Sequence, residues 1–572
     1  MKFRWSPAPS QPLLAEKLAA GLKISPLLAQ CLLNRGHSEP SAIETFLAPR
    51  LKNLADPFLL PDMAATVERL LHAHSQNEPL VIFGDYDVDG VTSTALLVEV
   101  LRELDWTVEF YLPHRMDEGY GLSRDGVENC LKKFPVKLLF AVDCGSTAVE
   151  TIAWLRERGV DVIVLDHHQV SNPAPAAVAL VNPQLSTVFT ELCSVGLAFK
   201  LAHALIKRGR EINLPGAAEF DLKPLLDLVA LGTIADLVPL IGENRILVYA
   251  GLEKLSSTQR PGLVALKEVA QCPPQMGVYE VGFQLAPRLN AAGRLETAEE
   301  ALNLILAPDL KTAMPLAQEL DLRNRERQKI ERGISDEAVG VVRSKFDAQN
   351  DFVIVEGRLL WHIGVVGIVA SRVLQQFYRP TFIIGGEGEA WRGSGRSIAG
   401  FDLASALRAC DDLLIRHGGH AMAAGVTIHP DKLDAFRARL NDLARLALKP
   451  KDLQPPLRLD AEVELKEVSL VMLSELDRLK PMGQGNASVQ FFARNLSHAR
   501  PLQRMGAEKQ HVKIWVTDGA AVHECVWWGA GKESLPEGKF DLAFAPQINE
   551  FNGRTTVQLK VLDWQPAGGG AV

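Results

Sequence analysis

The sequence predicts an α/β protein built in parts: a parallel-sheet domain, a smaller α/β domain joined to it by a long helix, and a C-terminal β-barrel. Three observations carry that reading. Short apolar runs alternate with helix-like segments between about 55 and 250; a charge-dense stretch at 313–343 has no Pro after Pro315; and strand-like segments dominate from about 457 onward.

Residues 1–50 read as a short helical extension broken by Pro7, Pro9 and Pro12. The first domain, 51–250, runs strand Leu80 to Phe83, helix Thr92 to Leu104, strand Thr107 to Tyr111 and helix Ser123 to Lys133. It continues with strand Leu138 to Val142, helix Thr147 to Arg158, and strands Val162 to Leu165 and Val178 to Val181. Apolar runs this short, spaced by helices, are those of buried parallel strands in a doubly wound sheet. Residues 251–345 form a helical connector ending in the charged helix. The second α/β domain, 346–448, has strands at Phe352 to Val355 and Thr381 to Ile384 and a helix at Gly367 to Tyr378. Pro455-Pro456 marks a linker, and 455–566 carries five short strands with turn signals such as Asn552-Gly553, the pattern of an oligonucleotide-binding (OB) barrel.

Bulk properties exclude several classes. A chain of 572 residues is too long for one core. It has no apolar run near ~18 residues, so no membrane span is expected. Met1 to Pro7 lacks the apolar stretch of a signal peptide, and seven cysteines without CxxC spacing fit a reducing cytoplasm and no structural zinc. The net charge of −8 argues only weakly against a polyanionic substrate, because acids that hold cations inflate the count.

The chemistry concentrates just past three predicted strands: Gly84-Asp85-Tyr86-Asp87-Val88-Asp89-Gly90, Asp143-Cys144-Gly145, and Asp166-His167-His168. Ligands of open α/β sheets bind beyond the carboxyl ends of the strands. That much acid at one edge requires cations among it. The first loop begins like an EF-hand, but its twelfth position is Leu96, not Glu, and its context is strand-to-helix. One such Asp could be a helix cap; seven acids and imidazoles at equivalent strand ends could not all be. Mixed Asp and His ligation points to Mn²⁺, with Mg²⁺ the alternative, and two ions ~3.5–4 Å apart would suit in-line displacement at phosphorus. Asp236, after Ala230 to Ala235, is placed to close the site.

In this order, Asp-Tyr-Asp-Val-Asp-Gly, Asp-Cys-Gly, Asp-His-His and Gly-Thr-Ile-Ala-Asp-Leu-Val-Pro-Leu resemble the DHH phosphoesterase superfamily, and within it the bacterial single-strand-specific 5′→3′ exodeoxyribonucleases. The resemblance runs from about 50 through the barrel. It implies one ion on Asp85 and Asp87, another on Asp89, His167 and Asp236, and Asp143 bridging them. Asp166 and His168 would support, His168 contacting phosphate; Asp87, Asp143, His167 and His168 form the catalytic set.

For the substrate, Arg115 follows strand Thr107 to Tyr111, and Tyr120 offers an aromatic face in a flexible turn. Arg288, Asn290 and Arg294 lie in Pro287 to Arg294, a loop-like setting, and Arg suits bidentate phosphate recognition. Trp391-Arg392-Gly393-Ser394-Gly395-Arg396-Ser397 has the makings of an anion nest. Gly418-Gly419-His420 resembles the signature of the DHH-associated domain. The resemblance then implies that Ser394 and Arg396 grip a 5′-terminal phosphate, and that His420 lines a cleft too narrow for duplex DNA. In the barrel, Trp515, Trp527, Trp528, Phe491, Phe492 and Phe551 are mostly expected in the core, the remainder being able to stack on bases.

The expected activity is release of 5′-mononucleotides from single-stranded DNA, in repair and recombination. The resemblance points to a cytoplasmic monomer whose further partners are a single-strand-binding protein and a RecQ-like helicase. Two alternatives are a phosphodiesterase acting on nanoRNA or cyclic dinucleotides, and a non-catalytic Cdc45-like scaffold. The extra length and barrel count against the first, and the full set of expected ligands against the second.

Overall fold

A computed structural model of the chain describes residues 3–114, 118–119, 121–295, 297–551 and 553–568. It divides into two compact units, Thr45–Arg327 with Leu479–Ala487, and Met1–Glu44 with Gln328–Arg478 and Ser488–Val572.

The first unit is organised by five parallel strands: β1 (Leu80–Phe83), β2 (Val108–Tyr111), β3 (Leu138–Val142), β4 (Asp161–Leu165) and β5 (Ala179–Val181). Their spatial order is β2-β1-β3-β4-β5. Successive residues serve opposite faces: Leu80, Ile82, Leu138, Phe140, Val142 and Ile163 enter one apolar core, whereas Val81, Phe83, Leu139, Ala141 and Val162 enter another. Burial on both faces explains why these strands read as continuous apolar runs without polar alternation. The order reverses direction between β1 and β3, so a crevice opens beyond their carboxyl ends, at the topological switch point.

Helices α1 (Val88–Glu103), α2 (Arg124–Lys133) and α3 (Val149–Glu157) follow β1, β2 and β3; α4 (Ser194–Glu211) and α5 (Leu226–Ala235) follow β5. Helix α1 begins four residues earlier than expected. Asp87 caps it, its Oδ1 accepting from the amides of Asp89 at 2.9 Å and Gly90 at 3.1 Å, so Asp89 falls inside the first turn. Gly90 is needed there, since a Cβ would lie 2.5 Å from the carbonyl oxygen of Asp85.

The expected loop at Pro287 to Arg294 is instead helix α6 (Ala286–Leu295). A π turn, Val281–Leu285, precedes it and absorbs the amide that Pro287 lacks. Helix α7 (Leu310–Lys345) has 36 residues, about 54 Å. It is not simply exposed: Ala313, Ala317, Leu320, Asn324, Arg327, Glu331, Ile334, Ala338 and Val342, spaced by three and four, are buried. Polar groups in that stripe are paired, Arg327 with Asn324 and Glu331 with Arg372.

In the second unit β6 (Ile354–Leu359), β7 (Thr381–Gly386), β8 (Trp391–Arg396), β9 (Arg416–Gly419) and β10 (Ala423–Ile428) form a mixed sheet in the order β9-β10-β8-β7-β6, with helix α8 (Val366–Phe377) after β6. Three of these strands differ from the sequence expectation, because β8 to β10 are rich in Gly. The barrel strands β11 (Phe491–Met505), β12 (His511–Thr517), β13 (Val522–Trp527), β14 (Phe540–Phe551) and β15 (Arg554–Pro566) are ordered β11-β12-β13-β15-β14, and β14 pairs back to β11, closing the five-stranded barrel the sequence predicts. Residues 1–50 are less purely helical than expected. Arg4–Pro7 is a strand paired in parallel with Pro456–Leu459, and Trp5 Nε1 donates to Asp563 at 2.9 Å.

Among the described residues no helix is long and apolar enough to cross a membrane.

Candidate metal centre

The crevice between β1 and β3 gathers the acids. Asp85, Asp89, Asp143 and Asp166 are each about 1% exposed. Three triads hold ligand atoms within 4.8 Å of one another: Asp85, Asp87 and Asp143; Asp89, His167 and Asp236; Asp143, His167 and His168. Asp143 and His167 each belong to two of them. His167 Nε2 lies 3.5 Å from Asp143 Oδ1, 3.4 Å from Asp236 Oδ2 and 3.9 Å from Asp89 Oδ2.

Local structure sets each position. Asp143 takes a left-handed backbone, φ 62°, which a bulky side chain resists and Asp tolerates, and so turns its carboxylate off the end of β3. Asp236 is the residue at which helix α5 ends. Asp89 accepts from the amides of Ser194 and Val195, at 2.7 and 2.8 Å, in the first turn of α4. Asp166 belongs to none of the three triads. Its Oδ1 accepts from His168 Nδ1 at 2.8 Å and its Oδ2 from the Ser146 amide at 3.0 Å. Asn182 ties the same loop down through Ser146 Oγ and the His168 carbonyl.

The electrostatics separate these groups. Burial, and then the neighbouring Asp89, push Asp143 well above the usual carboxylate range. Burial and Asp87 raise Asp89 to about 7, and burial and Asp89 raise Asp236 to about 9. Burial lowers His167 to about 4, the cationic His168 adding to the effect. His168 moves the other way: despite burial, its hydrogen bond to Asp166 lifts it to about 9, and Asp166 is held below its ordinary value by the same bond. The result is a neutral imidazole among crowded acids beside a cationic one. Asp143 Oδ2, Asp236 Oδ2 and His167 Nε2 are buried with no hydrogen-bond partner among the described residues. Such atoms carry an uncompensated desolvation cost unless a cation meets them, and oxygen with imidazole nitrogen is a donor set for a divalent ion of the Mn²⁺ or Mg²⁺ kind. The residues fit the ions.

Of the substrate residues expected from the sequence, Arg115 and Tyr120 lie outside the described residues, as does the side chain of Arg294. Helix α6, which carries Arg288, Asn290 and Arg294, presses against the Asp loop: a Cβ on Gly293 would sit 2.8 Å from the Tyr86 carbonyl oxygen. Arg288 does not stand open as a loop guanidinium. It donates to Asp321 at 2.9 Å and to the Gln284 carbonyl at 2.6 Å.

In the second unit, Ser394 and Arg396 sit two apart on β8, hence on one face, and Arg396 Nη1 donates to Ser394 Oγ at 2.8 Å. This is an extended strand, not an anion nest. A Cβ at Gly395 would run into the Phe382 ring, so the glycine serves packing. The first turn of α8 lies against the pair, a Cβ on Gly367 meeting both Ser394 Oγ and Arg396 Nη2 at 3.1 Å. His420 is exposed in the turn between β9 and β10. In the barrel Phe491 and Phe492 are buried, Trp515 and Trp527 half-buried and Trp528 exposed; the side chain of Phe551 lies outside the described residues.

Sequence reasoning passed over Ser194. Its Oγ donates to Asp143 Oδ1 at 2.8 Å, and a Ser opening the apolar stretch Val195 to Leu201 is the one signal for it.

A parallel sheet with paired acids and imidazoles at its switch point defines a phosphoesterase domain of the DHH class. Residues 79–233 match the DHH family, N-terminal domain; residues 350–446 match the DHHA1 domain and residues 459–563 the RecJ OB domain. The chain is 36% identical over 571 residues to the single-stranded-DNA-specific exonuclease RecJ of Bacillus subtilis strain 168, covering 98% of this chain and 71% of that one. Crystal structures of RecJ from Thermus thermophilus in complex with Mn²⁺ and with Mg²⁺ resemble it with TM-scores of 0.85 and 0.79, at 30% and 29% identity. They cover 99% of this chain, and 80% and 79% of theirs. The chain belongs to the RecJ family.

Proposed function

We propose that this chain is a metal-dependent exonuclease that degrades single-stranded DNA from its 5′ end and releases 5′-mononucleotides. The observation that carries this reading is the set of three triads around Asp143 and His167, with buried oxygen and nitrogen atoms that have no hydrogen-bond partner among the described residues. Asp85 and Asp87 would hold one divalent ion, Asp89, His167 and Asp236 the other, and Asp143 would touch both. Mn²⁺ or Mg²⁺ is the cofactor, in line with the ions named for the Thermus thermophilus structures. Bound there, such ions lower the pKa of the attacking water and stabilise the charge that develops on the phosphate.

The protein groups have distinct tasks. His167 is neutral near pH 7 and so has a lone pair to give as a ligand. His168 keeps its proton and offers a cation to a phosphate oxygen, with Asp166 holding the ring in place. Ser394 and Arg396 supply a hydroxyl and a guanidinium for a terminal 5′-phosphate, next to the first turn of α8. Arg115, Tyr120, Arg288, Asn290 and Arg294 are assigned to the strand, and His420 to the same task from its exposed turn. A single-strand-binding protein and a RecQ-like helicase are the partners that would supply unwound substrate.

The test is digestion of oligonucleotides labelled at either end, as DNA, RNA and blunt duplex, with Mn²⁺, Mg²⁺ or chelator. Mononucleotide released from the 5′ end of single-stranded DNA, and none with chelator, supports the assignment. Release from the 3′ end, or cleavage unaffected by chelator, overturns it.

A further inference from the structure

We infer that Ser194 is the positioning residue that fixes the orientation in which Asp143 presents its carboxylate to the ions. The inference rests on the metal-centre reading above and adds to it a residue outside the ligand set.

Asp143 is the one carboxylate shared by the Asp85–Asp87 group and the His167–His168 group. Its two oxygens are not alike. Oδ1 accepts a hydrogen bond from Ser194 Oγ at 2.8 Å; Oδ2 is buried and has no partner among the described residues. Ser194 is itself fully buried, so water cannot replace its hydroxyl. The hydroxyl is held in turn by helix α4, whose first-turn amides, those of Ser194 and Val195, grip both oxygens of Asp89. One helical turn thus fixes two acids that follow different strands. Asp89 is fixed through backbone, but Asp143, in a left-handed conformation with a free Cβ–Cγ rotor, has its side-chain anchor in Ser194.

A shared carboxylate must present its oxygens in a set orientation. A hydrogen bond to one of them pins the torsion, and with it the position of both, while leaving that oxygen a second lone pair, as outer-shell donors do for metal ligands generally. Without the hydroxyl the carboxylate would turn among its acidic neighbours, and the two ion positions would lose their common ligand in part of the population. The loss expected is that of an outer-shell donor, about 10- to 100-fold in metal affinity.

The experiment is titration of the full chain, stripped by chelator, with MnCl₂ in a calorimeter. The free ion is followed in parallel by its electron paramagnetic resonance signal, and no DNA is present. Ser194→Ala is expected to bind Mn²⁺ about 10- to 100-fold more weakly, while its melting temperature in chelator stays within a few degrees of the parent. Ser194→Thr, which keeps the hydroxyl, should restore the affinity. Ser194→Cys, of similar size but with a weak S–H donor, should behave like Ser194→Ala. Unchanged Mn²⁺ affinity in Ser194→Ala and Ser194→Cys would overturn the inference. A parent chain that takes up no Mn²⁺ at all would instead overturn the metal-centre reading beneath it, so the two failures are distinguishable.

Discussion

The rim of the parallel sheet and the face of β8 are both candidate sites for phosphate groups, yet they are built on opposite electrostatic plans. At the rim the strongest charges acting on Asp143 are other carboxylates, and three buried ligand atoms have no hydrogen-bond partner among the described residues. On β8 the charged group, Arg396, is already hydrogen-bonded to Ser394 Oγ and the Gly395 carbonyl. The first region is held in repulsion until cations arrive; the second is at rest and can exchange internal hydrogen bonds for a phosphate. Ion binding should therefore stabilise the fold by relieving repulsion at the rim, whereas phosphate binding at β8 stabilises it only by mass action.

The largest effect should come from removing Asp143, the acid that belongs to two of the three triads. Asp143→Ala should bring exonuclease activity below detection, a loss of at least about 10³-fold, on the scale of deleting a main transition-state electrostatic contact. Circular dichroism should remain that of a folded protein, since the mutation also relieves crowding among Asp85, Asp87 and Asp89. Measurable cleavage by the variant would show that the rim works without a shared ligand, and the contrast with β8 would fall.

The next effect is on pH and stability. Asp89 and Asp236 titrate near 7 and 9 in the folded chain, against an ordinary value of 3.8. A carboxylate whose folded value is raised adds stability below its unfolded pKa and loses it as pH climbs through the folded value. In chelator, the contribution of these two acids to the melting temperature should fall from about pH 4 to about pH 9. Because ions compete with those same protons, the increase in melting temperature on adding Mn²⁺ should be larger at about pH 8 than at about pH 6. A Mn²⁺ response that is flat across that range would mean that the rim acids are not the groups that bind the ion.

How much of this was legible in the sequence follows the same division. The rim could be read because parallel strands buried on both faces announce themselves as apolar runs, and Asp85, Asp143 and Asp166 stand at their ends. The start of α1 at Val88 was not legible, because a loop of alternating acids hides that Asp87 doubles as a cap. Nor was the bond from Ser194 to Asp143, which spans 51 residues and depends on where α4 returns to the sheet. On β8 the residues were recognised but their conformation was mistaken. Gly393 and Gly395 suggest a turn, and only the packing of Phe382 and Ile384 against them shows that the glycines make room for side chains on an extended strand. Pro287 misled in the same way, as a breaker that a π turn accommodates.

Smaller effects are expected on β8, and they are the ones that can refine the contrast. Arg396→Ala should raise KM for 5′-phosphorylated single strands by about 10- to 100-fold, the value of a hydrogen bond to a charged group, at ~1.5–3 kcal/mol. Its kcat should change less, because the guanidinium binds ground state and transition state alike. Ser394→Ala should cost about 10-fold or less, ~0.5–1.5 kcal/mol, and only part of that through lost contact with phosphate, because it also removes the hydroxyl that Arg396 meets at 2.8 Å. A substrate bearing a 5′-hydroxyl separates a role at the phosphate from a role in holding the strand. If the pair reads the terminal phosphate, the parent and Ser394→Ala should cleave that substrate at similar rates, and the tenfold gap should open only when the phosphate is present. A gap of equal size on both substrates would mean that Ser394 supports the strand β8 rather than the ligand, and that this face is not the phosphate site.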